Sequence, residues 1–97
     1  MNASDSTPGP VAHEPGAQRF LLDLDGHQAV LDYQRRGQAM VITHTHVPEA
    51  IGGRGIAALL TRAALEHARQ AGWQVVPECS YAAAFIQRHG EYAGLLG

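Results

Sequence analysis

A glycine-rich segment, GGRGIA at residues 52–57, separates an apolar stretch from a long amphipathic one. Glycines between a strand and a helix let the backbone approach a ligand closely, because no Cβ stands in the way. The first N–H groups of the following helix have no intrahelical acceptor, and the positive end of the helix dipole lies behind them. The segment therefore predicts an anion site, most often one for phosphate or pyrophosphate.

Two histidines, His44 and His46, stand just before this segment. In a strand their spacing puts both imidazoles on one face, which we expect to be the face of Met40 and Ile42. A partly buried imidazole bonded to the backbone and a general base both suit such a pair. A metal site needs at least one more ligand, and none has a diagnostic spacing, so we expect no metal.

Cys79 is the chain's single cysteine, which excludes an internal disulfide and fits a reducing compartment. A lone cysteine is usually a small buried hydrophobic residue. A thiolate activated by a histidine is also a nucleophile, so a covalent role stays open. Tyr81, two residues later, can pack a helix or donate a proton.

The elements that position these residues follow from composition and hydrophobic periodicity. Residues 1–17 are rich in Pro, Gly, Ser and Thr, which predicts a disordered tail before one domain at residues 18–97. Alternating apolar residues predict three strands, over 19–25, 27–34 and 38–47. Turn sequences at Asp25-Gly26 and Arg36-Gly37 join these strands into an antiparallel meander.

The second half of the domain reads as a crossover. Helical spacing predicts a helix over residues 55–70, and a short strand follows over 73–77. A strand, a helix and a returning strand place this fourth strand parallel to the third. A second helix is expected over 81–89, so the fold class is mixed α/β.

Composition excludes several function classes. A formal charge of −2 over 97 residues argues against non-specific nucleic-acid binding, since proteins that track phosphates carry a basic excess. No apolar run reaches the roughly 18 residues of a membrane span, and the N-terminus lacks signal-peptide features. We therefore expect a cytoplasmic protein with no membrane partner, either a monomer or a weak homodimer. The glycine spacing also fits neither a nucleotide-hydrolysing P-loop nor a dinucleotide fingerprint.

Several segments together carry a resemblance to a known family: HTHVP at 44–48, GGRGIA at 52–57, PECSY at 77–81 and FIQRH at 85–89. Over roughly residues 19 to 95 the chain resembles the small, single-domain branch of the GCN5-related N-acetyltransferase (GNAT) family. The resemblance implies a minimal GNAT-like fold and acetyl-CoA as cofactor, with CoA as product. It also implies transfer of an acetyl group to an amine acceptor, either a protein or a small molecule.

The resemblance further implies roles for individual residues. His44 and His46 stand near the acetyl group as candidate bases, Cys79 is an acetyl acceptor or lines the thioester pocket, and Tyr81 is a proton donor to the leaving thiolate. The residues implied in cofactor binding are Val47, Gly52, Gly53, Arg54, Gly55, Ile56, Ala57 and Arg88.

Two positions depart from the family pattern. The family's phosphate loop begins with Gln or Arg, where this chain has Gly52, so we expect weaker pyrophosphate binding, with Arg54 or Arg62 supplying the missing charge. His46 stands where relatives tend to carry Glu or Asp. These departures support an alternative hypothesis, a CoA-binding module with little or no catalytic activity. A scaffold for another phosphate ligand is a third possibility.

Overall fold

The computed structural model describes residues 10–96 and contains one sheet covered by two helices. The sheet has five strands in the order β1-β2-β3-β4-β5, namely β1 Ala12–Glu14, β2 Arg19–Leu24, β3 His27–Arg36, β4 Ala39–His46 and β5 Gln74–Pro77. The helices are α1 Ile56–Ala71 and α2 Ser80–Arg88. Short 3₁₀ segments span Pro15–Ala17, Glu49–Ile51 and Gly90–Leu95.

The predicted meander and crossover are confirmed. β2, β3 and β4 pair antiparallel, and β5 pairs parallel to β4, with Ala39 opposite Gln74. The β2–β3 turn holds Asp25 at a φ of 53° and Gly26 at 78°. Positive φ at both central residues is the geometry of a type I′ turn, whose twist suits a two-residue hairpin. Gly72 ends α1 in the left-handed conformation and returns its N–H to the last turn.

The edge strand β1 lies within the segment that the sequence predicted to be disordered. It pairs antiparallel with β2, and the ring of His13 stacks on Phe20 with centroids 4.1 Å apart. His13 Nε2 lies 2.7 Å from the hydroxyl of Tyr33. The prediction of a tail over 1–17 is therefore wrong for residues 12–17, because strand pairing and ring stacking hold a segment that has little apolar content. Residues 1–9 of the predicted tail lie outside the described residues.

The core lies between the helices and one face of the sheet, which we call the helix face. This face carries the alternate strand residues Phe20, Leu22, Leu31, Met40 and Ile42, all buried. α1 packs against them through Leu60, Ala64, Leu65 and Ala68, none of which is exposed. Burial of each large apolar side chain contributes about 1.5–3 kcal/mol, so this layer holds α1 firmly across the strands.

A one-residue bulge interrupts β4. Ile42 lies opposite Tyr33, but His44 lies opposite Asp32, so Thr43 between them has no partner of its own on β3. An extra residue in one strand reverses the alternation of side chains beyond it. The bulge therefore decides which residues of β4 after Ile42 face the helices.

The reversal contradicts the predicted arrangement of the two histidines. Beyond the bulge, Thr45 lies opposite the buried Leu31 and shares the helix face with Ile42. His44 and His46 lie on the other side of the sheet, which we call the back face, opposite Asp32 and Val30. The prediction that both histidines share a face with Met40 and Ile42 is wrong, because it assumed an unbroken two-residue period.

Candidate active site

The strands β4 and β5 pair over only half the length of β4. Their ladder runs from the pair Ala39–Gln74 to the pair Ile42–Pro77. The N–H of Cys79 then donates to the carbonyl oxygen of Ile42 at 2.9 Å. Beyond this point, within residues 10–96, no strand pairs with the β5 side of β4. Backbone groups on that side can therefore pair with the amides of an extended ligand.

The histidines of this stretch are exposed on the back face. The rings of His44 and His46 lie parallel, with an interplanar angle of 6° and centroids 6.4 Å apart. Asp32 lies opposite His44 on β3, and its carboxylate is engaged by Arg19, whose Nε donates to it at 2.7 Å. Both imidazoles are therefore open to a molecule that approaches this face.

Cys79 lies on the helix face, away from the histidines. Its side chain is half-buried against the core, and Sγ donates to Thr45 Oγ1 at 3.7 Å. Tyr81, in the first turn of α2, is 38% exposed and packs beside Phe85 with ring centroids 6.3 Å apart. The structure thus brings Cys79 to Thr45, and it separates the predicted catalytic histidines from the predicted thiol by the thickness of β4.

The glycine-rich loop enters α1 with open space around it. Gly53 and Gly55 have φ values of 77° and 72°, and a Cβ built on either would meet nothing within 4 Å. Such φ values favour glycine strongly. Ile51 and Ile56, both buried, anchor the two ends of the loop, so Ile56 offers a ligand only its backbone.

The N-terminus of α1 has no internal anion. Gly55 is the N-cap and makes no side-chain cap bond, and the first turn contains no acidic residue. The first-turn N–H groups, which include that of Ala57, have no capping side chain. The N–H of Gly52, by contrast, already donates to Glu49 O at 3.1 Å. The N–H groups that can face an anion are therefore those of Gly53 to Ala57, and not that of Gly52.

The candidate arginines have different surroundings. Arg54 Nη1 donates to Asp25 Oδ2 at 2.8 Å. Arg62 Nη1 donates to the hydroxyl of Tyr92 at 3.1 Å and lies 3.6 Å from Glu91, so it belongs to the contact between α1 and the C-terminal segment. Arg88 is exposed in the last turn of α2. Arg54 is therefore the arginine that the chain places within the loop itself.

Val47 directly follows β4 and is half-buried against the core. Its position continues the stretch of β4 that lacks a β5 partner.

Two contacts of the candidate site residues are not predicted by the sequence. Thr45, the partner of Cys79, and Asp25, the partner of Arg54, lie 34 and 29 residues from the groups that they contact. The sequence predicts the Asp25-Gly26 turn, but nothing in the pattern of residues says which loop the turn faces.

Neither a metal cluster nor a membrane span is found in the described part of the chain. Between residues 10 and 96, no group of three or more His, Cys, Asp or Glu side chains is arranged to hold a metal ion. No helix in that range is both long and apolar enough to cross a membrane.

Known proteins resemble this chain over most of its length. Residues 19–95 match a family model described as GCN5-related N-acetyl-transferase. The chain is 34% identical to the protein NATD1 of Bos taurus over 82 residues, covering 81% of this chain and 73% of the relative. It is 34% identical to NATD1 of Danio rerio over 87 residues, covering 84% and 79%.

A solved structure shows the same fold. The solution NMR structure of a protein described as GCN5-like, from Staphylococcus aureus, superimposes with a TM-score of 0.70 at 23% identity, covering 90% of this chain and 86% of that one. This likeness concerns the fold, whereas the family model spans nearly all of the described chain. The chain belongs to the GCN5-related N-acetyltransferase family.

Proposed function

We propose that this domain transfers the acetyl group of acetyl-CoA to an amine acceptor. The observation that carries the proposal is the divergence of β4 from β5 after Ile42, in a chain that matches the family model over residues 19–95. The divergence leaves a stretch of strand backbone beside an uncapped helix N-terminus. An amide-containing arm and a pyrophosphate together need those two features.

The residues present fit acetyl-CoA. The pyrophosphate would be held by N–H groups from Gly53 to Ala57, where the absence of a Cβ at Gly53 and Gly55 leaves room for it. The pantetheine arm would pair with the β5 side of β4 up to Val47. Bound there, acetyl-CoA supplies an activated thioester, and the protein's own side chains must handle the protons of the transfer.

The back-face histidines are suited to receive the proton of the acceptor. An amine attacks a carbonyl only in its neutral form, so a base beside it accelerates transfer. Because a neutral imidazole nitrogen accepts a proton, His44 or His46 can take the role that a carboxylate has in relatives. Both rings are exposed on the back face, so the acceptor approaches the sheet from the side opposite α1 and α2.

The position of Cys79 favours direct transfer. A two-step reaction through an acetylated thiol needs a base beside the sulfur, but Sγ contacts the hydroxyl of Thr45 and faces away from both histidines. Cys79 therefore lines the thioester from the helix face. Tyr81, exposed in the first turn of α2, is the proposed proton donor to the departing thiolate, so the proton that leaves the amine is balanced by one delivered to sulfur.

The alternative hypothesis, a CoA-binding module without efficient catalysis, rests on the loop. Gly52 brings no side chain, and its N–H is already bonded to Glu49, while Arg54 is paired with Asp25. Both features weaken the site relative to a loop that begins with Gln or Arg. The cytoplasmic location stays a prediction from the sequence, as does an amine acceptor that is either a protein or a small molecule.

Two measurements test the proposal. Isothermal titration with acetyl-CoA, CoA and ATP is expected to show binding of the two CoA species and weaker binding of ATP. Thiol release in the presence of an amine panel is then expected for at least one amine. Binding without amine-dependent thiol release would favour the binding module, and preferential ATP binding would favour a different phosphate ligand.

A further inference from the structure

The ion pair between Arg54 and Asp25 joins the glycine-rich loop to the β2–β3 hairpin. Arg54 Nη1 lies 2.8 Å from Asp25 Oδ2, and the two side chains are 35% and 51% exposed. This is the hydrogen bond that the structure gives to the Arg54 side chain within residues 10–96. The arginine closest to the anion-facing N–H groups is thus held by a carboxylate of the same chain.

The geometry of the β2–β3 turn fixes the position of the Asp25 carboxylate. Asp25 has a φ of 53°, a conformation that few residues other than Gly, Asn and Asp adopt, and it shares the turn with Gly26 at 78°. Both neighbouring strands are paired over the whole length of β2, from Arg19 to Leu24. The carboxylate therefore projects from a well-supported turn toward the loop.

We propose that Asp25 acts as an internal competitor of phosphate, which holds Arg54 and lowers the affinity of the 52–57 loop for phosphate-bearing ligands. This inference rests on the proposed function, because it concerns the same pyrophosphate site. A guanidinium paired with a carboxylate offers an approaching anion almost no net charge. To bind the anion, Arg54 must leave Asp25, or the anion must bind to backbone N–H groups beside a negative side chain.

The size of the effect follows from exposure. Pairs of exposed charges contribute little, typically up to about 1 kcal/mol, which corresponds to roughly a fivefold change in affinity. The competition is also electrostatic, so added salt should reduce it within the Debye screening range. We therefore expect a modest and salt-sensitive control of affinity.

The test compares Asp25→Asn with a matched control, Asp23→Asn. Asn adopts the left-handed conformation at least as readily as Asp, so the turn is retained. Asp23 lies on the same hairpin and changes the net charge equally, but it accepts a hydrogen bond from Gln28 at 3.2 Å and has no contact with Arg54. Affinities for CoA and for pantetheine, which has no phosphate, are measured by isothermal titration at low ionic strength.

Asp25→Asn is expected to bind CoA about three- to fivefold more tightly than the wild type, with pantetheine binding unchanged and Asp23→Asn close to the wild type. The double variant Asp25→Asn/Arg54→Ala should bind CoA about as tightly as the wild type, because the freed guanidinium is then absent. An unchanged or weaker CoA affinity in Asp25→Asn, or a gain that persists without Arg54, would overturn the inference and leave the proposed function intact. If the wild type and both hairpin variants bind no CoA, the proposed function fails and the inference fails with it.

Discussion

The domain contains two histidine pairs in opposite circumstances. His13 and His67 meet edge to face at 4.4 Å, and His13 also stacks on Phe20 and bonds to Tyr33. His44 and His46 lie parallel at 6.4 Å on an exposed face. Histidine side chains thus pack an edge strand against the sheet in one region and are exposed in the other. Surroundings, and not residue type, therefore separate a packed histidine pair from an exposed one in this domain.

The pKa of His13 reflects its packing. Burial lowers the pKa of His13, and the neighbouring His67 lowers it further. Burial likewise raises the pKa of Tyr33, with Arg35 acting in the opposite direction. Both members of the His13–Tyr33 hydrogen bond are therefore kept neutral, as an interior contact requires.

The first prediction, with the largest effect, concerns Phe20, on which His13 of the packed pair stacks. Phe20→Ala removes a ring that is 3% exposed and on which His13 stacks. Truncation of a buried Phe typically costs about 3–5 kcal/mol through lost burial and the cavity left behind. Urea unfolding followed by circular dichroism measures the loss. A loss below about 1 kcal/mol would show that β1 and its cluster do not stabilise the fold.

The second prediction concerns the exposed pair, His44 and His46. His44→Ala/His46→Ala is expected to lower kcat for amine-dependent thiol release by about 100-fold, the usual scale of general-base catalysis. Stability should change little, because both side chains are exposed. His27→Ala, which removes an exposed histidine from the start of β3, is the matched control and should retain wild-type activity. Equal activity in the double variant and this control would reject a base on the back face.

The third prediction, with a smaller effect, concerns the pH dependence of stability that His13 causes. Because the native pKa of His13 is lowered, the unfolded chain binds a proton first as the pH falls. The stability from neutral His13 should be complete above the ordinary histidine pKa of about 6.5 and be lost as the pH falls from there through the native value. Urea unfolding at a series of pH values measures the slope. His13→Gln should flatten it, and an unchanged slope in that variant would assign the effect to other groups.

The smallest effect concerns Cys79. Cys79→Ala keeps a small apolar side chain against the core and removes only the weak contact with Thr45. Under direct transfer, thiol release should stay within about threefold of the wild type, since the thiol carries no acetyl group. A loss comparable to that of the double histidine variant, or a mass increase of an acetyl group on Cys79, would favour the two-step reaction.

The sequence predicts the order of the main elements well, because each has a local signature. The Asp25-Gly26 turn, the alternation along β2 and β3, and the glycine at the end of α1 each act within a few residues. The parallel crossover then follows from chain geometry. The loop at residues 52–57 is predicted for the same reason.

The remaining features depend on contacts distant in sequence. β1 is too short and polar to show a hydrophobic period, and it is ordered through Phe20, Tyr33 and His67. The bulge at Thr43 is set by the register with β3, which a single strand does not reveal. This bulge decides the face on which His44 and His46 lie. The two-residue alternation of β4 alone therefore predicts the wrong side of the sheet for both histidines.

The most direct experiment is a titration of isotopically labelled protein comprising residues 1–97 with acetyl-CoA, followed through amide and histidine NMR resonances. Shifts are expected at Gly53 to Ala57, at residues 43–47 and in the rings of His44 and His46, while the rings of His13 and His67 stay unchanged. Shifts centred on His13 and His67, with the 52–57 loop and residues 43–47 unaffected, would contradict this prediction.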